Sequence, residues 1–304
     1  MSSQATTPPA SPTVPVTPST PAPHYPWYLR FAWAFVLVGG VIAYVATFVI
    51  MVLTRNPTMV PSILLVGAAT IPLTVLLLAQ STRRGPLVPG RIVLVTMAVS
   101  GLFGICAASL SEAFAGALLG RESILLVGVI EETAKLVVPL IVLAVAHRST
   151  RAGGIVVGIA SGTAFAVLET MGYGFDALLA RNGGLAALDA TLILRGVLVP
   201  AGHVAWTGAI CAALWYLVET RHTLRGALAL VVAYGGAVLL HTAWDATTSG
   251  VLHIVIGVVS VGVLVWLIIA AHRAFTRSTP STRSTLSARS ADALVTPVGT
   301  TLHR

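Results

Sequence analysis

Glu131, Glu132 and Lys135 lie in the middle of GVIEETAKLVVPLIVL, residues 128–143, an apolar run long enough with its neighbours to cross a membrane. A charge at the bilayer centre costs roughly 2.5–3.5 kcal/mol on insertion scales, so three together point to work being done there. Two adjacent carboxylates in low dielectric do not readily both ionise. One charged and one protonated, they form a base-and-acid pair. Glu131 and Lys135, four residues apart, share a helix face and would equally make a structural ion pair. That pairing leaves Glu132, about 100° further round the helix, without a role.

Later segments carry more such groups. FAVLE, residues 165–169, sets Phe165 one turn before Glu169. The same helix carries Gly154, Gly158, Gly162 and Ala166 at four-residue spacing, a small-residue seam for close helix packing, and Glu169 continues its face into the bundle. HTAWD, residues 241–245, places His241 and Asp245 on one face, where the carboxylate can orient the imidazole for metal binding or proton transfer. His203 and Arg195 also lie within an apolar segment. Pro139 and Pro200 each remove a helical hydrogen bond, freeing the carbonyls of Lys135 and Gly196 beside the polar groups. Each motif alone also suits a satisfied structural pair. Their concentration on four successive segments, at overlapping depths, indicates a site.

The elements that must position these groups follow from composition. The chain has 304 residues, 56% hydrophobic and 9% charged, against about 25% charged in soluble domains. The expected fold class is all-α: a polytopic membrane helix bundle of about eight spans, since about 20 apolar residues cross ~30 Å of hydrocarbon. The apolar stretches are residues 31–54, 60–79, 92–110, 123–146, 154–177, 191–217, 225–248 and 251–271. Residues 1–29, with eight of the seventeen prolines, and the Arg/Ser/Thr-rich residues 272–304 read as disordered tails around a membrane domain over 30–271. Trp27, Tyr28 and Trp33, and again Trp215 and Tyr216, suit interfacial belts. Cys106 and Cys211 lack metal or redox spacing and read as small buried apolar residues.

The net charge of +8 does not indicate nucleic acid, because the basic residues sit in short loops and a tail. With both termini cytoplasmic, thirteen arginines fall on that side and three on the other, the positive-inside pattern. The motif-bearing core is then residues 123–248, and the lipid bilayer is the obligatory partner.

Taken in order, Glu131-Glu132-x-x-Lys135, Phe165-x-x-x-Glu169, Arg195 with His203, and His241-x-x-x-Asp245 resemble the PrsW family of intramembrane proteases. That family looks related to the CAAX-protease and bacteriocin-processing group, which has histidine and asparagine where this chain has Glu169 and Asp245. The resemblance implies peptide-bond hydrolysis in a bacterial plasma membrane, on a single-span substrate such as an anti-sigma factor, cut near its external side. It implies that one of Glu131 and Glu132 activates water, that His241 and His203 hold that water directly or through a metal, and that Asp245 orients His241. Glu169 would be a ligand or proton carrier, with Lys135 and Arg195 supporting. A zinc-like divalent ion suits His203, His241 and Glu169, and a metal-free, glutamate-activated water is the alternative. A proton-coupled transporter would use the same residue types, although no repeat relates the two halves of the chain. An inactive scaffold that binds single-span proteins would retain them too.

Overall fold

The computed structural model describes residues 26–82, 85–119, 124–145 and 150–278. A short α1 (Trp27–Arg30) leads into α2 (Ala32–Thr54), α3 (Val60–Gln80), α4 (Gly90–Leu119) and α5 (Ile124–Val145). There follow α6 (Arg151–Leu179), α7 (Leu185–Leu198), α8 (His203–Glu219), α9 (Leu224–Ala246) and α10 (Gly250–Ser278). A small antiparallel hairpin, β1 (Ser81–Thr82) with β2 (Gly85–Pro86), turns α3 into α4 with Ser81 opposite Pro86.

The fold is an all-α polytopic bundle. Among the described residues, seven segments are long and apolar enough to cross a membrane: α2, residues 57–80, α4, α6, the α7–α8 segment Leu185–Glu219, α9 and α10. The eighth expected span is α5, which has the length, 22 residues, but carries three charged side chains in its middle. Helices suit this setting because every backbone donor and acceptor is satisfied within the segment.

The central helix is α6, buried along most of its length. Its small-residue seam explains how α8 comes so close. A methyl added at Gly158 would sit 2.6 Å from Cys211 Cβ and 2.7 Å from the Thr207 carbonyl oxygen. At Gly154 it would strike the Trp215 ring, and at Gly162 the His203 carbonyl. Lipid tails are as apolar as leucine, so helix contact in the membrane rests on this kind of close packing. The seam thereby fixes His203 against the helix that carries Glu169. By contrast α2 and much of α9 leave large apolar side chains exposed, as lipid-facing helices should.

Several expectations are corrected. The span expected over 191–217 is two helices, α7 and α8, joined by the 3-10 turn Val199–Ala201 and Gly202. Pro200 lacks an amide donor, and the break makes His203 the first residue of α8. Trp215 is no interfacial anchor but a buried residue, 1% exposed, seated on Gly154. Cys211 is buried, whereas Cys106 is exposed. Helix α4 runs past the expected 110 to Leu119 and takes in Glu112. Helix α10 continues to Ser278, so residues 272–278 are helical rather than tail, and Trp27–Arg30 is helical at the other end. The rest of both expected tails, residues 1–25 and 279–304, lies outside the described residues.

Candidate active site

Lys135 is the fixed point of the site. It is fully buried, and its ammonium has three protons and no acceptor capacity. It lies 3.2 Å from Glu131 Oε2, 2.8 Å from Glu132 Oε1 and 2.6 Å from His203 Nδ1, so all three donors are engaged. The Phe165 ring covers it at 4.3 Å, which gives the FAVLE aromatic a cation–π role. The backbone here is tuned as well. Pro139 frees the Lys135 carbonyl, and Ser161 Oγ of α6 donates to that oxygen at 2.6 Å.

The two histidines are held in opposite senses. His203 accepts from Lys135 at Nδ1, which leaves its Nε2–H to donate to Glu169 Oε2 at 2.8 Å. The same Glu169 oxygen receives Arg195 Nη2 at 2.7 Å, and the Arg195 guanidinium lies 3.9 Å from the Tyr173 ring centroid. His241 donates from Nδ1 to Glu132 Oε1 at 2.9 Å. Its Nε2 then faces Asp245 Oδ2 at 3.3 Å and Glu131 Oε2 at 3.5 Å. A carboxylate on the far nitrogen is how proteins fix the tautomer and aim of a metal-binding histidine. Here that carboxylate is Glu132, while Asp245 shares the open side of the ring with Glu131. The imidazoles pack edge to face at 5.1 Å, with Trp206 5.2 Å from His241 and anchored by its indole N–H to Ser260 Oγ at 2.9 Å.

All eight residues singled out in the sequence come together. A cavity of about 550 Å³ has Glu169, Arg195, His203, His241 and Asp245 on its wall, with Trp206 and Trp244 among its apolar lining. Glu131, Glu132 and Lys135 stand behind the histidines and are not on that wall. Sequence reasoning missed Ser161, Trp206, Tyr173 and Ser260. Two of these carried a helical signal, Trp206 three residues after His203 and Tyr173 four after Glu169. Ser161 and Ser260 reach their partners only through the tertiary fold. A second polar link, Tyr44 Oη to Asp189 Oδ1 at 2.6 Å, ties α2 to α7 away from the cavity.

Residues 88–272 match the model of the PrsW family of intramembrane metalloproteases. The chain belongs to this family. No curated protein and no solved structure matches it. The match runs from the turn before α4 into α10 and so contains every residue of the cavity site. As a PrsW-family protein the chain is a peptide-bond hydrolase, integral to the membrane and multi-pass, and the membrane is where it meets its substrate. The metal in the family's description fits the residues present. Glu131, His203 and His241 each offer a ligand atom, all within 4.8 Å of one another. Two nitrogens and one carboxylate oxygen, with room for a water, form the donor set of catalytic zinc sites. Glu131 stands in this set where Glu169 was expected, because Glu169 is drawn to the other side of His203 by Arg195.

Proposed function

We propose that this PrsW-family protein cleaves a single-span membrane protein, of the anti-sigma-factor type, within the cavity between α7, α8, α9 and α10. The observation that carries the reading is the convergence of Glu169, His203, His241 and Asp245, from three helices, on one cavity wall with Glu131 and Glu132 directly behind. A transmembrane anchor needs no such cluster, and its charges would have to be hidden at considerable cost.

The roles follow from position. Glu131, His203 and His241 would hold a zinc-like ion, which when bound supplies a Lewis acid that polarises a carbonyl and acidifies a water. Glu132 is fully buried, with Oε1 engaged by both Lys135 and His241, so it sets the His241 tautomer and does not meet substrate. Glu169 is pinned by Arg195 and in turn steadies His203. Asp245 lines the cavity, is the least buried carboxylate of the site, and lies 3.3 Å from His241 Nε2. A water beside that nitrogen is within reach of Asp245 Oδ2. Asp245 takes the water proton as the new C–O bond forms and returns it to the amine nitrogen as the C–N bond breaks. Trp206 and Trp244 provide apolar surface for the substrate's membrane segment.

Reconstitution in liposomes with candidate single-span substrates tests the proposal. Cleavage by wild type, lost in Asp245→Asn protein that inserts normally, is the expected result. No cleavage of any candidate, together with proton-coupled flux of a solute, would replace this reading with transport.

A further inference from the structure

Hydrolysis of a peptide bond places negative charge on the scissile carbonyl oxygen, and enzymes meet that charge with preorganised donors. The donors around this cavity are mostly engaged. His203 Nε2 faces Glu169, His241 Nδ1 faces Glu132, His253 Nε2 bonds the Trp244 carbonyl at 3.0 Å, and the Trp206 indole N–H bonds Ser260. Lys135 has all three of its protons committed and is not on the wall. Arg195 differs. It lines the cavity, and its Nη2 is fixed on Glu169, yet its Nε is buried without a hydrogen-bond partner. Buried polar groups are nearly always paired, so Nε is a donor still without an acceptor, and the side chain as a whole, 23% exposed, is open to one from the cavity.

The rest of the geometry makes Arg195 a rigid donor. The Tyr173 ring lies under its guanidinium at 3.9 Å, and Glu169 holds one end of the fork. Its anchor oxygen, Glu169 Oε2, is itself 2.8 Å from His203 Nε2, so the guanidinium stands two hydrogen bonds from a histidine that faces the reaction. Arginine carries five N–H donors and does not lose its charge, which suits a group that must not take the proton itself.

Resting on the protease reading above, we propose that Arg195 binds the carbonyl oxygen of the scissile peptide bond and stabilises the oxyanion formed there. As the water oxygen forms its bond to the carbonyl carbon, the C=O π pair moves onto oxygen and the water proton goes to Asp245. The charged oxygen is then met by Arg195. Collapse restores the carbonyl, expels the amine nitrogen and returns the proton to it. Arg195 gains and loses no proton in either step.

The test is steady-state cleavage of a fluorogenic single-span substrate by reconstituted protein, with wild type, Arg195→Gln and Arg195→Lys compared. Loss of one oxyanion donor lowers kcat by about 10²–10³-fold, and KM should stay within about threefold. Arg195→Lys keeps a positive charge beside Glu169 and so guards against misfolding, but it lacks the planar fork and Nε and should lose kcat nearly as far. An arginine that merely held Glu169 in place would be replaced adequately by lysine. A second readout is binding of a phosphinate peptide, whose charged oxygens mimic the oxyanion. Arg195→Lys should weaken it about 100-fold while the matching uncleaved peptide binds as to wild type. Wild-type kcat in Arg195→Lys, or equal weakening of phosphinate and peptide, overturns the proposal. A wild type that cleaves nothing overturns the protease reading too, whereas cleavage that survives both substitutions overturns this inference alone.

Discussion

Replacing Lys135 with methionine removes the ammonium while keeping an unbranched side chain of similar length. In the native protein that ammonium makes contacts of 2.6, 2.8 and 3.2 Å with His203, Glu132 and Glu131, and it is fully buried. A hydrogen bond to a charged group contributes about 1.5–3 kcal/mol, but burying the ammonium offsets much of three such bonds. What decides the outcome is the residue left behind. Lys135→Met leaves Glu132, with 0% exposure, beside Glu131 on the same helix without the ammonium that both carboxylates share. Breaking a buried ion pair from one side costs about 3–5 kcal/mol, and we expect the loss to fall there. The assay is equilibrium unfolding in mixed micelles with a chelator present, so that no bound ion contributes to the folded state. The double variant Glu132→Gln/Lys135→Met should recover at least half of the loss, because a neutral amide no longer needs the ammonium. If Lys135→Met unfolds within about 1 kcal/mol of wild type, the carboxylates are neutralised some other way. The central place given to Lys135 would then be wrong.

Elemental analysis of protein purified without added metal should find about one divalent ion per chain, reduced severalfold in Glu131→Gln and His241→Ala and retained in Glu169→Gln. Equal retention in all three would move the ligand set elsewhere. Asp245→Asn should lower cleavage by about 10²–10⁴-fold, the range for an acid–base group, whereas Glu132→Gln should cost less catalytically because an amide oxygen still accepts from His241 Nδ1. The opposite ranking would make Glu132 the proton carrier. For orientation, a cysteine beside Arg181 should react with an impermeant thiol reagent in intact cells and one beside Arg221 should not; reversed labelling would invert the topology.

Much of the site was legible because its signals are local. Charges inside apolar runs stand out whatever the fold, and i,i+4 spacing puts His241 with Asp245 and Glu131 with Lys135 on shared faces before any packing is known. The α6 seam was legible for a similar reason, since Gly154, Gly158 and Gly162 announce a close neighbour without saying which helix it is. Long-range pairing was not legible. Nothing in HTAWD says that Glu132, 109 residues earlier, supplies the hydrogen bond to His241 Nδ1. Nor does FAVLE say that Phe165 will cover Lys135. Pro200 was read as a kink, but the chain breaks into two helices there, because Pro200 and, two residues on, Gly202 leave little to hold the turn helical. Trp215 misled for the opposite reason. A tryptophan near a helix end fits an interface as well as a core, and only Gly154 opposite it decides.

The formal charges of the cluster suggest why a cation belongs in it. Glu131, Glu132, Glu169 and Asp245 contribute four negative charges, and Lys135 and Arg195 return two positive ones. With both histidines neutral, as ligand imidazoles must be, two negative charges remain unbalanced in a largely buried setting. Such an imbalance is costly in low dielectric, and further hydrogen bonds between existing partners cannot remove it. Protons on the two imidazoles would remove it, but an imidazolium is a donor at both nitrogens and cannot ligate a metal. A divalent ion among Glu131, His203 and His241 removes the imbalance and keeps Glu169 on His203 Nε2 and Glu132 on His241 Nδ1, with the ion taking the place of Lys135 at His203 Nδ1. With neutral imidazoles the cluster has the charge to take one doubly charged cation where its nitrogens and carboxylate oxygens converge.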